Sequence, residues 1–96
     1  MEPTQLETDS ICVICEGLEK TEVPDGFVIF KAETEKVHYL NSSAAVIFEL
    51  SDGRKNIGEI AEFMREVYKL PEAPLAQTLT CTQALIDQGL LRQCLK

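Results

Sequence analysis

The sequence predicts a domain of the α+β class, with an antiparallel sheet in its first half and helices in its second. Residues 11–40 contain short runs of β-branched and aromatic residues separated by turn signals, whereas residues 43–88 place apolar side chains at helical spacing. A chain of 96 residues has room for one hydrophobic core. We therefore expect a single domain over residues 11–96, preceded by a flexible polar tail over residues 1–10.

Three antiparallel strands are predicted, joined as a meander. The first covers residues 11–23, where Gly17 permits a bulge or bend. Residues 24–26, Pro-Asp-Gly, form the clearest turn signal of the chain. The second strand follows over residues 27–30 and the third over residues 37–40.

Everything after residue 41 is predicted to be helical. The second helix has the strongest signals, because Asn56 and Glu59 have capping-box spacing and apolar residues recur at i, i+3, i+4 and i+7. Gly89 is the natural residue to end the third helix. The helices are predicted over residues 43–50, from residue 57 to just before Pro71, and from about Pro74 to Gln88.

Three strands followed by three helices describe a winged helix-turn-helix-like domain, an architecture commonly used to bind DNA. The net charge of −7, from 16 acidic and 9 basic residues, opposes binding to a phosphate backbone. The third helix carries Asp87 and no basic residue before Arg92, so it would be a poor recognition helix. A DNA-binding regulator remains an alternative, and we expect no nucleic-acid partner.

The composition also argues against a membrane protein and against an enzyme. No apolar run approaches the roughly 18–20 residues that span a bilayer, and the N-terminus lacks the pattern of a signal peptide. We therefore expect a cytoplasmic protein. No nucleophile–base pair or phosphate-binding glycine pattern is present, and His38, the single histidine, has no partner at metal-ligand spacing. We expect no catalytic residue, no bound metal and no cofactor.

Four cysteines leave a second alternative, a cysteine-based metal or redox protein. Cys12 and Cys15 form a CxxC pair, and Cys81 and Cys94 stand far apart. A four-thiolate zinc site usually has two compact pairs, and two strand residues three apart point to opposite faces. We expect all four to be reduced thiols without a shared site.

The chain from about residue 26 to residue 91 resembles the PqqD-like family, named for pyrroloquinoline quinone (PQQ) biosynthesis and also known as RiPP recognition elements. Five short segments carry the resemblance. Each is weak evidence alone, but together they occur in the order and at the spacing of the family. They are Val37 to Ala45, Ile47 to Leu50, Asp52-Gly53, Glu59-Ile60 and Gly89 to Leu91. The third helix departs from the family pattern, with Gln77-Thr78 where an Asp-Val pair is usual.

The resemblance implies a non-catalytic peptide chaperone. Such a module binds the leader of a ribosomally made precursor peptide as an added strand on the third strand of the sheet, lying against the third helix. It then presents the peptide to a maturation enzyme, a radical S-adenosylmethionine (SAM) protein in the quinone pathway. Relatives in other pathways serve cyclases or leader proteases.

Strand addition agrees with the residues themselves. A third strand at the edge of a meander leaves main-chain groups unpaired, and no proline blunts it. His38→Pro is therefore expected to block the edge, and a homodimer through the same edge is an alternative use. The predicted peptide-binding residues are Lys36, Val37, His38, Tyr39 and Leu40 on the strand, and Leu75, Leu79, Thr82, Gln83 and Ile86 on the third helix.

Overall fold

The structure, a computed structural model, describes residues 6–94 and has six strands in two antiparallel sheets with three helices. In chain order the elements are β1 (Ile11–Ile14), β2 (Leu18–Val23), β3 (Gly26–Lys31), β4 (Lys36–Asn41), α1 (Ser42–Leu50), β5 (Asp52–Asn56), α2 (Ile57–Tyr68), α3 (Leu75–Asp87) and β6 (Leu91–Gln93). The α+β class and the three helices are therefore confirmed.

The predicted meander is the sheet β2-β3-β4. Its first hairpin turns at residues 24–25, with Val23 opposite Gly26, as the Pro-Asp-Gly signal indicated. The prediction of one continuous strand over residues 11–23 is wrong. Gly17, at φ +78°, lies in the bend that separates β1 from β2, and the two strands belong to different sheets.

The second sheet, in the order β5-β1-β6, was not predicted. The expectation that no strand follows residue 41 is therefore wrong at β5 and at β6. The residues of β5, Asp-Gly-Arg-Lys-Asn, have low strand propensity, and β6 has only three residues. Both strands form because β1, which is distant in sequence, supplies their hydrogen-bonding partners.

The helix caps follow the sequence signals. Asn41 accepts a 2.9 Å hydrogen bond from the Ala44 N–H at the start of α1. At the start of α2, the Asn56 side chain and the Glu59 side chain each accept from the other residue's backbone N–H, at 2.8 and 2.9 Å, as in a capping box.

One hydrophobic core joins the two sheets and the three helices. Ile29 and Leu40 enter it from β3 and β4, and Leu91 enters it from β6. The helices contribute the largest share of the buried apolar side chains, namely Ala45, Ile47, Phe48, Ile60, Met64 and Leu85. The burial of these side chains together explains why α1 is enclosed between the meander and the other helices.

Part of the predicted tail contacts α2. The carbonyl of Ser10 accepts from the Ile57 N–H at 3.0 Å, and that of Thr8 accepts from the Gly58 N–H at 2.8 Å. These bonds satisfy donors at the start of α2 that have no partner within the helix. Residues 1–5 of the predicted tail lie outside the described residues. Within residues 6–94, no helix is long and apolar enough to cross a membrane.

Candidate functional site

The meander ends in an edge strand, β4. The strand order is β2-β3-β4, and β4 pairs only with β3. Within residues 6–94, no strand occupies its other side. The sequence-based expectation of an open edge at residues 36–40 therefore agrees with this topology.

Main-chain hydrogen bonds alternate between the two sides of a strand, and this alternation shows which N–H and C=O groups of β4 face outward. The Ala32 N–H donates to the Gly17 carbonyl at 3.4 Å, which continues the ladder between β3 and β2 and assigns the even-numbered residues of β3 to that side. The odd-numbered residues of β3 therefore bond to β4, where their partners are Lys36, His38 and Leu40. The N–H and C=O groups of Val37 and Tyr39 consequently point away from the sheet.

The side chains of Val37 and Tyr39 lie on the outer face of the meander, and they are 64% and 55% exposed. Opposite them on β3 are Phe30 and Val28, so the four residues form an apolar outer stripe. The Tyr39 hydroxyl donates to the Asp25 carbonyl at 3.3 Å, which holds the ring toward the hairpin turn. The edge thus combines free main-chain groups with exposed apolar side chains.

The other predicted strand residues have different positions. Leu40 is buried in the core at 3% exposure, and His38 is half-buried on the same face of β4. Lys36 is exposed. Since the main-chain groups of all three face β3, these residues support the edge rather than supply its free hydrogen-bonding groups.

Helix α3 runs beside the meander in the opposite direction to β4. Its C-terminal end lies at the end of β3, where the Lys31 ammonium donates to the Gly89 carbonyl at 2.8 Å. Near its N-terminal end, Gln77 lines a cavity together with Asn41, the last residue of β4.

This cavity, the Asn41 cavity, has a volume of about 650 Å³ and opens between α1, α2 and α3. Its walls are mainly apolar, and α1 and α2 contribute Ala44, Ile47, Met64 and Tyr68. The remaining lining residues are Asn41, Ser43, Leu70, Pro74, Gln77, Thr78 and Cys81. A mostly apolar concavity with a few polar groups, located at the end of an open strand, suits an apolar side chain of a bound peptide.

The α3 residues predicted to line the peptide groove are not brought together. Thr82 is fully buried and its hydroxyl donates to the Thr78 carbonyl at 2.7 Å, so its predicted contact with a peptide is wrong for this structure. Leu79 and Gln83 line a separate cavity of about 510 Å³ beside Leu6. Of the other two predicted residues, Ile86 packs against the core and Leu75 is exposed at the start of the helix.

Sequence reasoning missed the α3 residues that do lie near the end of β4, namely Gln77, Thr78 and Cys81. The available signal was the position of Gln77-Thr78 at the family's Asp-Val pair. The buried Thr78 hydroxyl donates to the Pro74 carbonyl at 2.7 Å, so the helix itself satisfies this polar group. The face of α3 that lines the cavity is therefore less polar than its sequence suggests.

All four cysteines carry free thiols. Burial, with a smaller contribution from neighbouring Cys94, raises the pKa of the Cys12 thiol to about 11. Burial also raises the pKa of Cys81. Within residues 6–94, no three side chains of the metal-ligating types histidine, cysteine, aspartate and glutamate are grouped to hold a metal ion.

The family model for coenzyme PQQ synthesis protein D (PqqD) matches residues 26–91. The chain belongs to the PqqD family. Its match begins at the first residue of β3 and ends in β6, so it includes β4, α1 and the whole of α3. PqqD proteins are accessory, non-catalytic proteins associated with PQQ biosynthesis. Neither the search of curated proteins nor the search of solved structures gives a match.

Proposed function

We propose that this PqqD-family chain is a cytoplasmic chaperone for a ribosomally made precursor peptide. The leader of the precursor adds to β4 as a further antiparallel strand. One observation carries the proposal: Val37 and Tyr39 direct their main-chain N–H and C=O groups outward, on an edge that no strand of the described residues covers.

Main-chain bonds alone give modest affinity. Each hydrogen bond contributes about 0.5–1.5 kcal/mol net, and the flexible leader loses conformational entropy when it becomes ordered. Apolar side chains of the leader must therefore supply the remaining free energy of binding. Successive side chains of a strand point to opposite faces, so one set would contact the outer stripe and the other would point toward the helices.

The Asn41 cavity supplies the contact on the helical side. It begins where β4 ends, and its apolar walls come from all three helices. A leader with an aliphatic or aromatic residue at this end of its strand would place that side chain in the cavity. The groove therefore involves Gln77, Thr78 and Cys81 rather than the opposite face of α3.

A maturation enzyme acts on the bound precursor, and a radical SAM protein is the partner that we propose. The family's association with PQQ synthesis supports this class of partner. Bound at β4, the leader is held against one side of the domain while the rest of the precursor remains free to enter the enzyme. The chain contributes binding and positioning, and the enzyme contributes the chemistry.

Proline substitution at an outward-facing position tests strand addition. Val37→Pro removes an outward N–H and adds a ring at the edge, a change that edge strands tolerate. We expect the affinity for a fluorescein-labelled peptide with the sequence of the precursor leader to fall at least about tenfold in anisotropy titrations. His38→Pro is the wrong test, because the His38 N–H faces β3 and its loss would damage the sheet.

Two variants serve as controls for Val37→Pro. Val37→Thr retains the N–H group, and Glu22→Pro places the same ring on the opposite edge of the meander, at a residue whose N–H also faces outward. Glu22→Pro should bind the leader like the wild type, and Val37→Thr, which loses apolar contact but keeps the hydrogen bond, should bind it more tightly than Val37→Pro. Unchanged affinity in a folded Val37→Pro variant, with folding checked by circular dichroism, would exclude strand addition at β4.

A further inference from the structure

The outward edge of β4 is complementary to the same edge of a second copy of this chain. Val37 and Tyr39 are two residues apart, and both direct their N–H and C=O groups away from β3. In an antiparallel ladder, each hydrogen-bonded pair of residues exchanges both of its N–H···O bonds. A two-fold axis at His38 therefore places Val37 of each copy opposite Tyr39 of the other, and all of these outward groups are paired.

Other registers of the two β4 strands leave some of the outward main-chain groups unpaired. A shift by one residue sets outward-facing residues against inward-facing ones, which cannot pair. An axis at Tyr39 would place Val37 opposite Asn41, whose C=O and side chain already belong to the start of α1. An axis at Val37 would place Tyr39 opposite Glu35, which lies outside the strand at φ +56°. The axis at His38 is the register that uses the free groups fully.

The charges of the meander favour β4 over β2, its other edge. Between Lys36 and the end of β4 there is no charged residue, and in this register Lys36 lies opposite Leu40 of the second copy. In contrast, β2 carries Glu19, Lys20 and Glu22. Charged side chains on an edge strand oppose pairing with another strand.

The same register covers the outer stripe. Val37 and Tyr39 are among the most exposed large apolar side chains of the described residues. As direct cross-strand neighbours they would form two pairs of a β-branched and an aromatic side chain, which stabilise antiparallel sheets. With Val28 and Phe30, the stripe would then run without interruption from one copy into the other.

We infer that β4 is also a self-association edge, at which two copies pair about a two-fold axis at His38 to form a continuous six-stranded sheet. A bound leader occupies the same Val37 and Tyr39 groups, so leader binding displaces the second copy. This displacement rests on the proposed function, whereas the pairing of two copies does not.

A residue on the two-fold axis faces its own counterpart, which permits a charge-swap experiment. Sedimentation velocity of the wild type should show reversible dimerisation between about 10 and about 500 µM, as expected for an interface below the standard size. His38→Lys and His38→Glu should each lose the dimer, because like charges directly opposite each other repel. An equimolar mixture of the two variants should recover dimer at the wild-type concentration or below.

The matched control is Thr21, which would occupy the corresponding axial position if β2 paired instead. Thr21→Lys and Thr21→Glu should dimerise like the wild type. A monomeric wild type throughout the range would overturn the inference, as would dimers that both His38 variants retain. The recovered dimer in the mixture also shows that both variants are folded.

An experiment with the leader peptide tests the pairing of two copies and the proposed function separately. Addition of the labelled leader to wild-type dimer should release leader-bound monomer. A leader that binds without dissociating the dimer would overturn the displacement and leave the proposed function intact. A leader that does not bind, while the charge swap behaves as described, would refute the proposed function and leave the pairing intact.

Discussion

Lys31, on β3, donates a 2.8 Å hydrogen bond to the carbonyl of Gly89, the residue that follows the C-cap of α3. The bond satisfies a carbonyl at the end of the helix and places a positive charge at the negative end of the helix dipole. Gly89 has φ +78°, and a Cβ atom there would collide with the Lys31 ammonium. The bond holds the C-terminal end of α3 at the end of β3.

Removal of the Lys31 ammonium should destabilise the domain. We expect Lys31→Met, which retains most of the aliphatic stem, to lower the free energy of unfolding by about 1–2 kcal/mol. Urea denaturation measures this change. Lys36→Met is the control, because Lys36 lies opposite Lys31 in the ladder but is exposed, and its loss should change stability by less than about 0.5 kcal/mol. Equal effects of the two variants would contradict the role of the Gly89 contact.

Thr78 should behave as an apolar residue despite its hydroxyl. In Thr78→Val, the Pro74 carbonyl keeps its backbone bond from the residue 78 N–H, at 2.9 Å, so we expect a change in unfolding free energy within about 1 kcal/mol. Thr78→Ser keeps the hydroxyl but loses the buried methyl group, which should cost about 1 kcal/mol or more. Thermal unfolding of both variants checks the order. A valine variant that is the less stable of the two would show that the hydroxyl, not the methyl, is the stabilising group.

The raised pKa of Cys12 predicts a loss of stability in alkaline solution. The native thiol has a pKa of about 11, above the ordinary value of 9.0, because burial disfavours the thiolate. The unfolded chain therefore releases this proton first. The contribution is fully present below about pH 9, falls between about pH 9 and 11, and amounts to about 2–3 kcal/mol at most.

Comparison with Cys12→Val isolates this contribution from other groups that titrate at high pH. The difference in unfolding free energy between wild type and variant, measured with urea at pH 8, 9.5 and 10.5, should move steadily against the wild type. A difference that stays constant with pH would mean that the Cys12 thiol is not buried as the structure describes.

The sequence predicted the helices well, because their signals act over three or four residues. The capping box of Asn56 and Glu59 is formed as expected, and the Asn41 cap begins α1 directly after β4. The strand at residues 27–30 and the hairpin turn before it were likewise predicted from local chemistry. These elements would be recognised in any chain with the same local sequence.

The second sheet could not be predicted in the same way. Strand β5 contains Asp52-Gly53, which is typical of a turn, and it becomes a strand only through its pairing with β1. The three residues of β6 pair with Cys12, Val13 and Ile14 near the other end of the chain. No periodicity within so short a segment indicates such a partner.

The candidate site was predicted in part. The open edge of β4 was expected from the meander, but the main-chain groups that face outward belong to Val37 and Tyr39, which only the register reveals. On α3 the leucine row at Leu75 and Leu79 resembled a binding face. Threonine, alanine and glutamine make up most of the rest of the helix, so its amphipathic pattern is too weak to identify which side is buried.

The sequence by itself therefore determined the class of fold, the helices, the edge strand and the family to which the chain belongs. These properties depend on hydrogen bonds and side-chain spacing within a few residues, which composition and order specify directly. The tertiary structure decided the second sheet, the outward direction of Val37 and Tyr39, and the face of α3 that lines the Asn41 cavity. Those features depend on contacts between segments that are distant in sequence, such as Lys31 with Gly89. A sequence pattern within a few residues does not indicate such contacts.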